Sequence, residues 1–133
     1  MNMLERKSIH DIGQVFSAIY PTMFNHGKTR IIFFGDEIKS NSQRYQTFFT
    51  KGMRCAKCGI EGKYFAKEKR AADTRYHLNL YAVREDGQEV LMTKDHIYPR
   101  SKGGRSHLTN YQPMCEMCNS LKGDNVEKED TAL

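Results

Sequence analysis

Two Cys-x-x-Cys pairs constrain this chain of 133 residues more than any other feature of its sequence. One pair is Cys55 and Cys58, the other is Cys115 and Cys118, and the chain has four cysteines in all. Each pair can supply two thiolates to a tetrahedral ion, so together they complete a four-thiolate zinc site. Such a site leaves no open position for a substrate, and we therefore predict that the zinc is structural.

Disulfides and a redox dithiol are the alternatives to zinc. The N-terminal residues lack the apolar segment of an export signal, so we expect a cytoplasmic protein, and structural disulfides are disfavoured in a reducing cytoplasm. A redox dithiol needs only one pair, within a β-α-β unit, and that pattern is missing here. Residues 59–114 separate the pairs, which exceeds the spacing of a compact zinc ribbon and predicts a subdomain between them.

The charge of the chain favours a polyanionic partner. Lys and Arg number 21 against 16 Asp and Glu, for a formal net charge of +5. Acidic residues are concentrated in residues 124–133, which we predict to be a disordered tail, so the remainder is more basic than the average. Basic proteins bind phosphates with release of counterions, although many small basic proteins bind no nucleic acid. No apolar run has the length of a membrane span, so no membrane partner is predicted.

Hydrophobic spacing predicts an α+β fold with an N-terminal helix–strand–helix segment at residues 1–52. The first helix is predicted to start at a capping box formed by Ser8 and Asp11 and to end at Pro21. A strand is predicted at residues 29–34. The second helix, at about residues 41–51, is predicted to end at Gly52 and to bury Tyr45, Phe48 and Phe49.

Residues 53–123 are predicted to form the second unit. The Lys- and Arg-rich residues 63–75 have no clear period and are interpreted as a solvated loop. Strands are predicted at residues 76–83 and 90–96, on either side of a hairpin turn at residues 86–87. A short helix is predicted from Cys115 to Lys122, ending at Gly123.

The candidate catalytic and metal-binding residues lie in the stretch 93–123. Asp95 and His96 are adjacent at the end of a predicted strand, where neighbouring side chains point to opposite faces. One can therefore reach a metal while the other acts on a water molecule. A basic loop with Gly103-Gly104 follows, and then Asn110. Asn119 directly follows Cys118, so a bound zinc would fix its position.

The stretch reads D-H-I-x-P-x-S-x-G-G, then an Asn, then C-x-x-C-N-x-x-K-G, and in this it resembles the HNH endonucleases. Proteins of that family hold one divalent ion between a β-hairpin and a helix, the ββα-metal finger. The resemblance implies a zinc-braced finger of this kind and metal-dependent hydrolysis of DNA by a one-metal mechanism. The implied products carry 5′-phosphate and 3′-hydroxyl ends.

The resemblance also implies a role for each matching residue. His96 is expected to be the general base and Asp95 a ligand of the catalytic metal. Asn110 is expected to brace the loop that follows His96. Asn119 replaces the final His of the family pattern, giving an H-N-N variant, and an amide oxygen there favours Mg²⁺ or Mn²⁺ over softer metals. Arg100 and Lys122 are candidate phosphate contacts.

Partner, origin and rival functions follow from the same reasoning. DNA is the expected substrate, and a single finger cuts one strand, so double-strand cutting needs a homodimer or two encounters. The habits of the family suggest a phage or mobile-element protein that acts in the cytoplasm of a bacterial host.

There are two rival hypotheses for the function. One is a zinc-stapled DNA-binding module, that is, a zinc-stabilised protein whose nuclease site has lost its activity. The other is a protein-interaction adaptor. The presence of Asp95, His96, Asn110 and Asn119 together argues against decay.

Overall fold

A computed structural model describes residues 3–125 of the chain, which adopt a mixed α+β fold. The strands are β1 (Leu4–His10), β2 (Arg30–Phe33), β3 (Asp36–Lys39), β4 (Gly62–Arg70), β5 (His77–Val83), β6 (Glu89–His96) and β7 (Tyr111–Cys115). The helices are α1 (Ile12–Ile19), α2 (Gln43–Lys51) and α3 (Glu116–Lys122). Single 3₁₀ turns lie at Tyr20–Thr22, Arg100–Lys102 and Leu108–Asn110.

The main sheet is antiparallel, with the strand order β1-β4-β5-β6-β7, and β2 and β3 form a separate hairpin. Strand β6 changes partners along its length. Glu89, Val90 and Leu91 pair with β5, whereas Met92 to His96 pair with β7. The second half of β6 therefore joins the sheet to the stretch that contains the predicted site.

The predicted start of the first helix is wrong. Ser8 lies within β1, where its hydroxyl contacts His10, and α1 is capped by the Asp11 carboxylate, which accepts a hydrogen bond from the Gln14 N–H. Strand β1 pairs with β4 at the edge of the sheet. It was missed because most of its side chains are exposed, so they carry no alternation of buried and polar residues.

The predicted strand at residues 29–34 corresponds to β2, but a second strand, β3, follows it. Phe34 and Gly35 both adopt positive φ angles, +47° and +84°, which suits a tight two-residue hairpin turn. Helix α2 is confirmed, with Ser42 as its N-cap and Gly52 at its end. Phe49 was predicted to be buried, but it is 42% exposed, and its ring packs at the surface against Phe16 and Tyr20.

The predicted loop at residues 63–75 is also wrong, because most of it is strand β4. Two charged residues of this strand are buried with partners. The Lys67 ammonium lies 2.7 Å from the Asp36 carboxylate and donates to the carbonyls of Phe33 and Phe34. Glu68 accepts hydrogen bonds from several side chains, including a 2.6 Å ion pair with Arg6. Partners from distant parts of the chain make burial of these charges tolerable, and local sequence does not reveal them.

One hydrophobic core contains side chains from both predicted units. Val15, Ile19 and Phe48 from residues 1–52 belong to the same cluster as Phe65 and Met92. Packing therefore does not separate residues 1–52 from residues 53–123. Of the predicted acidic tail, residues 126–133 lie outside the described part of the chain. Among the described residues, no helix has the length and apolar character needed to cross a bilayer.

Candidate functional site

The four cysteine sulfurs converge at the point where α3 begins. All four are free thiols, and their Sγ atoms lie within 4.8 Å of one another. The Sγ atoms of Cys58 and Cys115 are 3.9 Å apart, close to the separation of about 3.8 Å that a tetrahedral ion with Zn–S bonds of about 2.3 Å requires. The group can therefore hold one zinc ion with four sulfur ligands.

Backbone contacts shape this cluster. The N–H of Ala56 donates to the carbonyl of Pro113, which ties the first pair to β7. The Cys115 sulfur caps α3 by accepting from the N–H of Cys118. Burial raises the pKa of the Cys55 thiol, but backbone N–H groups that donate to its sulfur outweigh this and lower the pKa to about 7. The thiolate form that zinc requires is thereby favoured at Cys55, whereas burial raises the pKa of the Cys115 and Cys118 thiols.

The candidate catalytic residues lie on β6, on α3 and in the 3₁₀ turn that directly precedes β7. Helix α3 contacts β6 through Asn119 and Lys122, which hydrogen-bond Thr93 and Asp95 respectively. The ring of His96 lies against Tyr111 on β7, with centroids 4.9 Å apart. Asp95 and His96 thus contact different side chains, as expected for neighbours on a strand, whose side chains point to opposite faces.

Asp95 is held by two donors and is only 5% exposed. Its Oδ2 atom accepts from the Lys122 Nζ at 2.8 Å and from the Gln112 Nε2 at 3.0 Å. The other carboxylate oxygen, Oδ1, accepts no hydrogen bond from any described residue. The carboxylate is therefore fixed through one oxygen and retains a second oxygen as a candidate metal ligand.

The orientation of the Asn119 amide follows from its contact with Thr93. The Thr93 hydroxyl donates its proton to the Met114 carbonyl at 2.7 Å. Because a hydroxyl has one proton, Thr93 can only accept from Asn119, whose Nδ2 lies 2.8 Å away. The Asn119 oxygen is consequently the atom left for another partner.

His96 occupies a half-buried position beside basic residues. Its Nε2 lies 3.4 Å from the Ser106 Oγ. Burial lowers the pKa of His96 below its usual value, and the cations Lys94 and Arg100 lower it further, which outweighs the effect of Asp95. The imidazole is accordingly held in the neutral form that can accept a proton.

Asn110 connects the two ends of the loop after His96. Its Oδ1 accepts from the Tyr98 N–H at 2.9 Å, and its Nδ2 donates to the carbonyls of Tyr98 and Arg105. Gly104 packs so closely in this loop that a Cβ atom would lie 1.8 Å from the Tyr98 carbonyl oxygen. These contacts support the bracing role expected for Asn110.

The two candidate phosphate contacts differ in their surroundings. Arg100 is exposed and forms no ion pair with a described carboxylate. Lys122 is 4% exposed, and its ammonium contacts Asp95 and the His96 carbonyl. Arg100 is therefore available to an incoming phosphate, whereas the Lys122 ammonium is already engaged inside the protein.

One cleft of about 290 Å³ is lined by Asp95, His96, Arg100 and Asn119. Lys94 and Asp124 also line it, and sequence reasoning assigned neither of them to the site. Thr93 and Gln112 were missed as well. The alternation of β6, which puts Thr93 on the same face as Asp95, could have indicated Thr93. The position of Gln112 follows from its pairing opposite Asp95, which only the strand register reveals.

Comparison with known families identifies part of the chain. Residues 84–131 match the family model of the HNH endonucleases. The resemblance expected from the sequence is confirmed for this segment, which contains Asp95, His96, Asn110 and Asn119 but not the first cysteine pair. No curated protein and no solved structure matches the chain.

The four-sulfur cluster generates a prediction about metal content. Wild-type protein should purify with about one zinc per chain, and Cys118→Ser should lose it on dialysis against a weak chelator, because a tetrahedral site lacks one of its four ligands. Zinc per chain is measured by atomic absorption. Met117→Ser, a change at the exposed neighbour, serves as the control and should retain zinc. A wild-type protein that is folded without zinc would contradict the assignment.

Proposed function

With an HNH endonuclease segment at residues 84–131, we propose that this chain is a metal-dependent endonuclease that hydrolyses phosphodiester bonds of DNA. The observation that carries the proposal is the shared cleft. Asp95, His96 and Asn119, which occupy the positions of the family pattern, line one cleft with the exposed Arg100. A binding module would not require these groups to converge.

The donors fit a hard divalent cation. We propose that the Oδ1 atoms of Asp95 and Asn119 would hold it, since both oxygens are left free by the contacts that orient their side chains. Oxygen ligands suit Mg²⁺ or Mn²⁺. When bound, such an ion stabilises negative charge on the phosphoryl oxygen and on the departing 3′ oxygen.

The residues of the chain supply the remaining parts of the proposed reaction. Neutral His96 accepts a proton from the attacking water, and a positioned base of this kind contributes about 10² to 10⁴-fold in rate. Arg100 contacts a phosphate of the bound strand and offsets its charge. Attack by water on phosphorus with departure of the 3′ oxygen leaves 5′-phosphate and 3′-hydroxyl ends.

Lys122 takes a different role in this proposal from the phosphate contact expected from sequence. Its ammonium holds the Asp95 carboxylate through Oδ2 and caps the carbonyl of His96. A single donor thereby constrains the two adjacent residues with different tasks. We propose that Lys122 positions Asp95 and His96 and does not contact the substrate.

The four cysteines do not line the site cleft, but they lie at the start of the helix that carries Asn119. Cys118 is adjacent to Asn119, so a zinc-bound thiolate would hold the start of α3 against β7. We propose a structural role for zinc, because four thiolates leave no position for water or substrate.

A single nuclease site of the proposed kind cuts one strand, so we propose nicking by one chain and double-strand cutting by a homodimer or in two encounters. Action as a phage or mobile-element nuclease in the cytoplasm of a bacterial host is proposed only from the habits of the family.

Cleavage of a supercoiled plasmid tests the proposed function. Wild-type protein should convert the plasmid to nicked or linear DNA with Mg²⁺ or Mn²⁺ and should not do so with EDTA. His96→Ala should cut about 10² to 10⁴-fold more slowly, because the base that activates water is lost. Agarose-gel time courses give both the rate and the ratio of nicked to linear product.

One control and two outcomes separate the alternatives. Zinc content and the thermal unfolding midpoint of His96→Ala should first match those of wild type. A gel shift of the plasmid without cutting under any metal would favour the zinc-stapled DNA-binding module. Equal cutting by both proteins would show that His96 is not the base.

The Thr93–Asn119 contact generates a prediction that does not depend on activity alone. Thr93→Val removes the acceptor that orients the Asn119 amide, and changes of this kind weaken metal binding by about 10 to 100-fold. The dissociation constant for Mn²⁺, measured by electron paramagnetic resonance, should rise by that factor. Thr93→Ser keeps the hydroxyl and should bind Mn²⁺ like wild type. Equal affinities for the Val and Ser variants would refute the orienting role.

A further inference from the structure

A second and larger cleft, of about 720 Å³, lies where the start of α2 meets β4, β5 and β6. We name it the basic groove, after the five cationic side chains that line it: Lys39, Arg44, Lys69, Arg70 and Lys94. None of the first four lies in the segment that matches the HNH family. About half of the lining residues come from residues 1–52, to which sequence reasoning gave no role.

The acidic residues of the groove are neutralised by their own partners. Glu68 is 2% exposed, and it pairs with Arg6 at 2.6 Å and accepts a hydrogen bond from Tyr81. Asp73 forms an ion pair with Arg70 at 3.2 Å. Neither carboxylate is therefore left to balance the other cations.

Lys69 pairs with Glu5 at 3.7 Å, whereas the other three cations have no such balance. Lys39, Arg44 and Lys94 form no ion pair with a carboxylate in the described part of the chain. Arg44 is oriented by a hydrogen bond to the Leu78 carbonyl at 2.7 Å. Helix α2 also starts in this groove, so the N–H groups of its first turn, which lack intrahelical acceptors, add to the positive potential.

The basic groove adjoins the candidate active site. Lys94 lines both clefts, and along β6 the chain runs from Leu91 in the groove to His96 in the site cleft. Five residues of strand cover about 17 Å, which equals the rise of about five base pairs of duplex DNA. The Lys94 ammonium lies 4.2 Å from the centroid of the Tyr111 ring, and this ring packs against His96.

We infer that the basic groove binds the phosphodiester backbone of the DNA strand whose scissile phosphate lies at His96. The inference rests on the proposed function for the placement of that phosphate. Phosphates are the ligands that an array of unbalanced Lys and Arg side chains recognises, and counterion release supplies the affinity. Because the contacts are to the backbone, the groove positions the DNA and contributes no base-specific readout.

The salt dependence of DNA binding tests this inference. Zinc-loaded protein without added divalent cation is titrated into a fluorescein-labelled 24-base-pair duplex, and anisotropy is recorded between low and physiological salt. Lys39→Gln should weaken binding and should lower the slope of log K against log salt by about 0.9, the value for one lost phosphate contact on duplex DNA. Lys39→Gln with Lys94→Gln should lower the slope by about twice as much.

Lys63→Gln is the matched control. Lys63 is exposed on β4, outside the groove lining, at about 20 Å along the strand from Lys69. This variant has the same net charge as Lys39→Gln, and its salt slope should equal that of wild type. An equal loss of affinity and salt slope in both variants would mean that net charge alone governs binding, which would refute the groove. Unchanged binding by Lys39→Gln would refute it as well. Tighter binding of a single-stranded RNA with the same dependence on Lys39 would overturn the assignment to DNA.

Failure of the groove and failure of the nuclease proposal can be told apart. Groove-dependent binding without plasmid cleavage would support the groove as a DNA contact but would refute the proposed nuclease activity. The placement of a scissile phosphate at His96 would be refuted with it. Plasmid cleavage with unchanged binding by Lys39→Gln would refute the groove alone. Lys39 is exposed, so its substitution should preserve the fold, and zinc content and the thermal unfolding midpoint check this.

Discussion

The docking of α3 on β6 is the interaction on which the candidate site depends. Lys122 contacts Asp95, and Asn119 contacts Thr93, so a single short helix fixes both proposed metal ligands. A helix of seven residues is too short to be stable alone. The cysteine cluster at its start compensates, because a zinc ion held there would anchor the first turn of the helix to the chain around Cys55.

The N-terminal half of the chain supports the opposite face of the same strands. Helix α2 contacts β7 at two points: the Lys51 ammonium donates to the carbonyls of Leu108 and Tyr111, and the Tyr111 hydroxyl donates to Gln43 at 3.0 Å. Tyr111 in turn packs against His96. The β6–β7 pair is thus held by α3 on the side of the proposed metal ligands and by α2 on the side of the proposed base, His96. This gives residues 1–52 a role in positioning the site.

The sequence predicted the features whose causes are local. Alternation and turn residues predicted the hairpin strands β5 and β6, the helix at about residues 41–51 with its stop at Gly52, and the short helix that starts at Cys115. Features caused by distant partners were not predictable. Strand β4 was taken for a solvated loop because the partners of Lys67 and Glu68 come from other parts of the chain. Lys122 was expected to contact phosphate, and its ion pair with Asp95 was not predictable, because Asp95 lies on β6, far from α3 along the chain.

The location of the catalytic cation tests the account most directly. Crystals of the zinc-loaded protein soaked in Mn²⁺ would reveal that ion by anomalous scattering at a wavelength that separates it from zinc. We expect one manganese peak between the Oδ1 atoms of Asp95 and Asn119, with zinc at the four cysteines. We also expect the Lys122–Asp95 contact to persist. A manganese peak elsewhere in a solvent-open cleft would contradict the proposed ligands. Displacement of Lys122 from Asp95 by the ion would contradict the positioning role of Lys122.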